Sequence, residues 1–430
     1  MLYLRFIKEN YDKLRESFTQ RNQSEKIEWL DLILERDKKW RLLKQKTDKL
    51  RHKRNELTEQ IRKLKTEKKP CENILKQAKE VPQKISLLEN EMAELMKQIE
   101  SYLERIPNVL HEKVPTGKDA KDNIPFRFSG KKPEFKFELK SHGEIIEKAG
   151  LANFEAARTT SGQGFNFLIG EMAELDLALQ RYGIDFLLDR GFQLVSPPLA
   201  LNRKTLGGTV TLQDFEDTIY KLEKEDLYLI GTGEHPLVSM YINKTLNKKD
   251  LPIKMCTVTP CFRKEIGSRG VDTKGLFRMH QFNKVEQVVI SDHESSDGLL
   301  EEMESITEAF FKKLGIPFRV VEICSGDLGG KQTKQYDIEG WFPRQDEYQE
   351  LTSASNTGEY QSATLNVKYV DGDEKKFCHM LNNTMVATSR AMVAILENFQ
   401  NEDGTITIPK PLRKYMNNKK KIGGLKNGRK

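Results

Sequence analysis

Cysteine is scarce in this chain. Five thiols (Cys71, Cys256, Cys261, Cys324 and Cys378) are scattered through 430 residues, with no C-x-x-C spacing and no histidines clustered beside them. That pattern argues against a disulfide framework and a structural zinc site, and the five read as ordinary thiols. Long apolar runs are missing too. No uninterrupted stretch approaches the roughly 20 residues that span a bilayer. The opening MLYLRFIKENYDKLRES has neither the long apolar stretch nor the small-residue cleavage site of a signal peptide. No membrane is expected, and a reducing, cytoplasmic location follows. Nor is there a large charge of one sign: 71 Lys and Arg stand against 64 Asp and Glu, a formal net charge of +7. At this length, where charge is placed matters more than its sum.

What is present begins with periodicity. Between residues 33 and 64 apolar side chains fall at Ile33, Trp40, Leu43, Leu50, Leu57, Ile61 and Leu64. Between 78 and 106 they fall at Ala78, Val81, Ile85, Leu88, Met92, Leu95, Ile99, Tyr102 and Ile106. Steps of three and four make each stretch a helix with one apolar seam. Joined at the polar KTEKKPCEN, the two predict an antiparallel coiled coil with arms of about 50 Å at 1.5 Å per residue. Charge on the two is unequal: residues 36–69 hold 15 Lys or Arg against five Asp or Glu, whereas 74–106 hold five against six. Lysines and arginines beside a heptad seam are often no more than its solvated face. A surplus of ten on one helix also suits a phosphate backbone, where each neutralised phosphate releases counterions. In that orientation the arm is a nucleic-acid feeler.

After the arm comes IPNVLHEKVPTGKDAKDN, rich in turn formers, which reads as a linker. From residue 170 the helical pattern of GEMAELDLALQRYGIDFLLDRG gives way to the short runs LYLIGT, KMCTVTPCF, QFNKVEQVVI and SATLNVKYV, rich in β-branched and aromatic residues. This mixture predicts an α+β domain with a largely antiparallel sheet flanked by helices. The expected divisions are an N-terminal helical domain over 1–112, a linker and approach over 113–169, a main domain over 170–416, and a basic tail over 417–430 too polar to order.

Residues 259–289, TPCFRKEIGSRGVDTKGLFRMHQFNKVEQVV, carry the densest chemistry. They read as an apolar strand, a charged glycine-containing loop and a return strand. Arg263 and Glu265, two apart, should share one face, as should Arg278, Phe282 and Glu286 at intervals of four. Guanidinium groups for phosphate oxygens and a ring for a base suit a nucleotide. By residue type alone, cross-strand Arg and Glu pairs are more often surface ion pairs. Periodicity does not decide between the two.

At this point the chain resembles a known family. FRKE, GVDTKGLFRMHQF and KVE together are similar to motif 2 of the class II aminoacyl-tRNA synthetases in its seryl form. RGFQLVSPP with Pro198 resembles motif 1, a dimer-interface element. YLIGTGEHPL resembles the T-x-E loop of seryl enzymes, YQELTSASNTGEYQ their E-x-x-S-x-S-N stretch, and HMLNNTMVATSRAMVAILENFQNEDGTITIPKPLRKYM motif 3 with its arginine at Arg390. Linker and arm are similar as well, so nearly the whole chain is covered. The resemblance implies a class II catalytic domain behind a coiled-coil arm, acting as a homodimer. It implies activation of L-serine by ATP to seryl-adenylate and transfer to the 3′ end of serine tRNA, with the arm gripping the long variable arm of that tRNA. Whether selenocysteine tRNA is also a substrate is left open.

Carried over by motif, the resemblance puts Arg263 on the ATP α-phosphate and Arg390 on the γ-phosphate, Glu265 and Phe282 at adenine, and Arg278 along the bent triphosphate. Lys264, Leu351 and Thr352 belong with them to the ATP-binding set that the resemblance implies. Glu350 and Ser353 resemble a magnesium-holding pair, and hard oxygen ligands suit that ion. The serine pocket draws on Thr232, Gly233, Glu234, Glu286, Asn382 and Thr384. Taken singly, these residues have plainer readings: Glu350 a solvated carboxylate, Ser353 a turn residue, Arg390 a helix-surface charge, and 232–234 a turn and helix cap. The substrate carboxylate is itself the nucleophile, so His235 and His280 are read as structural.

The chain departs from the family at EYQSATLN, where Ala363 and Thr364 stand in place of two arginines, and at SNTG, where Thr357 replaces a cysteine. Two competing functions remain at this stage. One is a same-fold amino-acid ligase acting on a carrier protein, a class that typically lacks the arm. The other is a non-catalytic paralogue whose coiled coil is an interaction module.

Overall fold

The computed structural model describes residues 1–211, 218–265 and 275–424. Residues 266–274 of the motif 2 loop and 425–430 of the tail therefore lie outside the described residues. The chain divides into two units, one of residues 2–19 and 23–106, the other essentially of 107 onward with Met1 and 20–22.

In the first unit the periodic stretches form the helices Ile27–Thr66 and Glu72–Leu103, of 40 and 32 residues, so the longer extends about 60 Å. Leu30, Ile33, Leu43 and Leu57 are buried on one helix and Val81, Ile85, Leu95 and Ile99 on the other. Two seam positions are polar. Asp37 is 4% exposed, ion-paired with Lys8 and with Arg41 at 2.9 Å, and Thr47 turns its hydroxyl to the Met92 sulfur at 3.8 Å. Counting only apolar residues passes over both. Lys38, Lys39, Arg41, Lys44, Lys46, Lys49, Lys53 and Arg54 are exposed along the first helix.

The second unit is built on an eight-stranded sheet among the described residues. Its strands are numbered in chain order: β1 (Ile124–Ser129), β2 (Gln193–Leu194), β3 (Ile253–Phe262), β4 (Gln281–Ser291), β5 (Phe318–Glu322), β6 (Lys334–Phe342), β7 (Glu347–Asn356) and β8 (His379–Ala387). Their order across the sheet is β1-β5-β6-β7-β8-β4-β3-β2, and every pairing is antiparallel except β2 with β3. Helices Glu171–Leu188, Ser296–Leu314 and Thr388–Asn398 pack on one face, joining Val285 and Val289 of β4 to Phe310, Phe311 and Ile395 in the main core. Alternation sends Glu286, Val288 and Ile290 to the other face, where the last two pack in a smaller cluster with Leu237 and Met380.

Three expectations need correction. The stretch 113–169 is more than a linker, because β1 closes one edge of the main sheet and the helix His142–Lys148 carries a Ser141/Glu144 capping box. In SATLNVKYV the strand is confined to Lys368–Asp371. The residues before it complete the helix Tyr360–Leu365, which Asn366 ends in a left-handed conformation at φ 53°. The tail does not begin at 417. Lys421–Gly423 pairs with Thr405–Thr407, and Ile422 at 1% exposure supplies the apolar anchor. Among the described residues no helix is long and apolar enough to cross a membrane.

Candidate active site

A cleft of about 320 Å³ opens on the sheet face opposite the large helices. Spacing alone would not have built its floor. Glu350 and Ser353 are three apart on β7, which in a regular strand puts them on opposite faces. The ladder to β6 skips one residue: Asp337 faces Ser353 and Ile338 faces Thr352, but Glu339 faces Glu350. Leu351 is the extra residue of this bulge, and its side chain packs in the main core at 2% exposure. The bulge returns Glu350 to the face of Ser353 and Asp337.

At that end of the cleft the cations converge. Arg390, in the first turn of the helix Thr388–Asn398, reaches Glu350 Oε1 at 2.8 Å and its carbonyl at 3.2 Å. Arg390, then Arg263, hold the Glu350 carboxyl below the ordinary carboxylate range against the opposing effect of burial. The Arg263 guanidinium donates to the Gly231 carbonyl at 3.2 Å and stands 5.5 Å from the Phe282 ring centre, while Arg390 stands 5.3 Å from that of Phe277. Arg278 lines the same cleft but is exposed. Three guanidinium groups, two rings and a carboxylate therefore border one cavity.

The other end is lined by Thr232, Glu234, Asn382, Thr384, Lys284 and Lys331. The Thr232 hydroxyl accepts from the Glu234 amide at 3.2 Å and donates to Glu286 Oε2 at 3.0 Å, so it braces the turn into the helix Glu234–Ser239 while lining the cleft. Gly233 contributes no side chain: a Cβ there would lie 2.5 Å from Thr257 Cγ2. Glu234, 4% exposed, accepts from Lys331 at 2.7 Å and Gln361 at 2.6 Å. Burial raises its carboxyl, but the lysine and amide more than offset this and hold it below the ordinary range. Glu286 does not border the cleft. It is 1% exposed, ion-paired with Lys284, and burial raises its carboxyl despite that partner. Asn382 Nδ2 is buried with no protein partner among the described residues, which leaves a polar atom for a ligand.

Magnesium, implied by the resemblance, finds a fitting donor set. Glu350, Ser353 and Asp337 offer oxygen only, on one face of β6 and β7. Asp337 accepts from Gln335 at 2.9 Å, and burial, then Glu350, push its carboxyl well up, as expected for facing carboxylates that a divalent ion would relieve.

The expected strand faces of motif 2 were wrong in detail. β3 ends at Phe262 and β4 begins at Gln281, so Arg263, Glu265 and Arg278 obey no strand alternation. Glu265 has φ 50° and lies 3.9 Å from Arg278, outside the cleft lining, as does Lys264. Leu351 faces the core, as its place in the bulge requires. Sequence reasoning missed Lys284, Lys331, Gln361, Asp337 and Phe277, all but Phe277 reading singly as strand, loop or helix residues. The motif pattern contained a signal for two of them, since Lys284 belongs to KVE and Phe277 to GLFR. Burial pushes the His235 imidazole down to about 3, and His280 meets the Tyr220 hydroxyl at 2.5 Å and stacks on Phe165. The missing arginines fall on the helix Tyr360–Leu365, where Ala363 and Thr364 are half-buried away from the cleft lining. Thr357 is bonded to the Gln361 side chain at 3.1 Å.

The family model for the seryl-tRNA synthetase N-terminal domain matches residues 1–110, and that for the class II core domain of tRNA synthetases for G, H, P, S and T matches 218–399. A serine–tRNA ligase of Methanospirillum hungatei is 46% identical over 422 residues, covering 97% of this chain and 99% of its own. The crystal structure of seryl-tRNA synthetase from Pyrococcus horikoshii complexed with ATP superposes with a TM-score of 0.92 at 43% identity, covering 99% of this chain and 100% of that one. The cytoplasmic serine–tRNA ligase of Naegleria fowleri in complex with AMP gives 0.84 at 34% identity, covering 97% and 96%.

Proposed function

The chain belongs to the seryl-tRNA synthetase family, and we propose that this cleft carries out both steps of its reaction. It is a serine–tRNA ligase of class II: L-serine and ATP give seryl-adenylate and pyrophosphate, and a hydroxyl of the terminal tRNA adenosine then takes the seryl group. The observation that carries the reading is a single cavity with guanidinium groups at one end and a small polar pocket at the other.

In this reading Arg263 and Arg390 bind the triphosphate from two sides, with Arg278 at its exposed flank. Phe282, and Phe277 beside Arg390, offer apolar surface to the base. Serine lies toward Thr232 and Glu234, whose buried carboxylate suits the ammonium, and the unpartnered Asn382 amide with Thr384 suits the hydroxyl. Glu286 acts through Thr232 and Lys284. An ionised carboxylate needs no base, so the neutral His235 has no proton to remove. Orientation and fixed positive charge then lower the barrier as charge moves onto pyrophosphate. Glu350 and Ser353, backed by Asp337, would hold magnesium, which when bound neutralises phosphate charge.

Alanine is rejected because unpaired polar groups would remain where the hydroxyl belongs. The exposed lysines and arginines of the first arm helix support a role in gripping the long variable arm of serine tRNA. Exposed Leu177 and Leu188 on the helix Glu171–Leu188, with Leu194 on β2, support a homodimer built on motif 1. A cytoplasmic location fits the five free thiols, four of them buried. Aminoacylation of total tRNA with serine, threonine and alanine tests the reading. Charging is expected with serine alone, and charging of a carrier protein instead would replace it with the ligase alternative.

A further inference from the structure

Away from the cleft, the far ends of β4 and β8 bring together a second group of donors. His293 follows β4, His379 opens β8, and Glu359 directly precedes the helix Tyr360–Leu365. His293 Nε2 lies 2.9 Å from Glu359 Oε1, and the two imidazoles stack with centres 4.3 Å apart and planes 25° from parallel. One nitrogen from each ring and one Glu359 oxygen lie within 4.8 Å of one another. The same His293 nitrogen also meets the Phe377 carbonyl at 2.9 Å, and His379 Nδ1 meets the Ser296 hydroxyl at 2.9 Å. That hydroxyl in turn accepts from Asn356 at 3.3 Å. Asp292 and Asp297 stand close by, the Asp292 carboxylate accepting from the Ser295 amide at 2.8 Å and Asp297 bonded to His111 at 3.0 Å. Lys376 is the opposing cation in the neighbourhood.

We propose that His293, Glu359 and His379 form a site for a zinc-class divalent cation, distinct from the oxygen-only magnesium set at Glu350 and Ser353. Two imidazoles and one carboxylate are the donors of a borderline transition metal and ill suited to magnesium or calcium. Tetrahedral bonds of about 2.0–2.1 Å put ligand atoms roughly 3.3 Å apart, so binding draws the three donors together and turns the two rings out of their near-parallel stack until both in-plane lone pairs meet one ion. Ser296 supplies the outer-shell partner that fixes the His379 ring. A fourth position faces solvent, since the His293 side chain is 37% exposed. Bound metal would clip the start of β8 to the N-terminus of the helix Tyr360–Leu365, which carries Gln361, a residue that holds Glu234 at the cleft.

The test is zinc binding by the full chain at pH 7.5 after chelation and dialysis, read as metal per chain by elemental analysis, with X-ray absorption on the loaded protein. One zinc per chain is expected, with a first shell of nitrogen and oxygen including two imidazoles. His293→Asn and His379→Asn should abolish retention, Ser296→Ala should weaken it about tenfold, and Glu350→Gln should retain it. Thiolate in the first shell, no retention by the wild type, or equal retention by the His293→Asn/His379→Asn double variant would overturn the proposal. The absorption measurement decides even if a variant fails to fold.

Discussion

Replacing Lys331 by methionine isolates the electrostatics of the amino-acid end of the cleft. Methionine fills much of the same volume but removes the ammonium that stands 2.7 Å from Glu234, with side-chain exposures of 11% and 6%. At an effective dielectric of about 20, that separation corresponds to about 6 kcal/mol of attraction. Desolvation cancels most of it in the intact pair, but deleting one partner leaves a buried carboxylate uncompensated, at a cost of about 3–5 kcal/mol. Among the described residues the Gln361 amide is then the side-chain donor left to Glu234. The sign with pH is fixed as well. In the wild type the depressed carboxyl stabilises the fold above the ordinary carboxylate range, and this is lost as pH falls through its lowered value. In the variant, uncompensated burial raises the carboxyl, so Glu234 protonates on mild acidification. The stability gap between the two proteins is therefore largest near pH 7 and narrows as pH falls. Urea unfolding at several pH values measures it, and serine-dependent ATP–pyrophosphate exchange reports a raised KM for serine. The double variant Lys331→Met/Glu234→Gln should show a coupling of about 1–3 kcal/mol. A loss under about 1 kcal/mol at pH 7, or a gap that widens on acidification, would refute the reasoning.

Other outcomes are expected from the same geometry. Glu286→Ala leaves buried Lys284 without its carboxylate and Thr232 without its acceptor, and should remove serine-dependent exchange; near-normal exchange would refute its place behind the pocket. Deleting residues 36–99 should spare adenylate formation while abolishing tRNA charging, and unimpaired charging would remove the arm from tRNA binding. Gly340→Ala puts a methyl 2.5 Å from Leu351 Cδ1, against the bulge residue. It should cost about 1–3 kcal/mol in urea unfolding and weaken ATP binding measured by calorimetry, since Glu350 moves with the bulge.

Periodicity was enough for the coiled coil and the long strands, because steps of three to four and runs of β-branched residues report directly which face is buried. The site was legible mainly as motif. What stayed hidden had local physical causes. A bulge is one residue that no period anticipates, and a regular strand would have put Glu350 and Ser353 on opposite faces. Glu265 escapes alternation through a left-handed backbone, and Arg278 stands before its strand rather than on it. Lys284, Lys331 and Asp337 are charges inside the protein, and in a sequence a buried charge looks like a solvated one until its partner is found. The helix at SATL was obscured by the valines and tyrosine that follow it.

Asp37 and Thr47 interrupt the oily stripe between the two arm helices. Asp37 keeps Arg41, four residues along its own helix, in any alignment, but sliding one helix past the other by a heptad would take Thr47 from Met92, Arg36 from Gln98 and Arg51 from Glu89. The hairpin is thereby held to one alignment, and the distance from its base to its tip becomes a fixed length. A rod that cannot slip can act as a ruler, reaching the same point on whatever helical substrate lies along it.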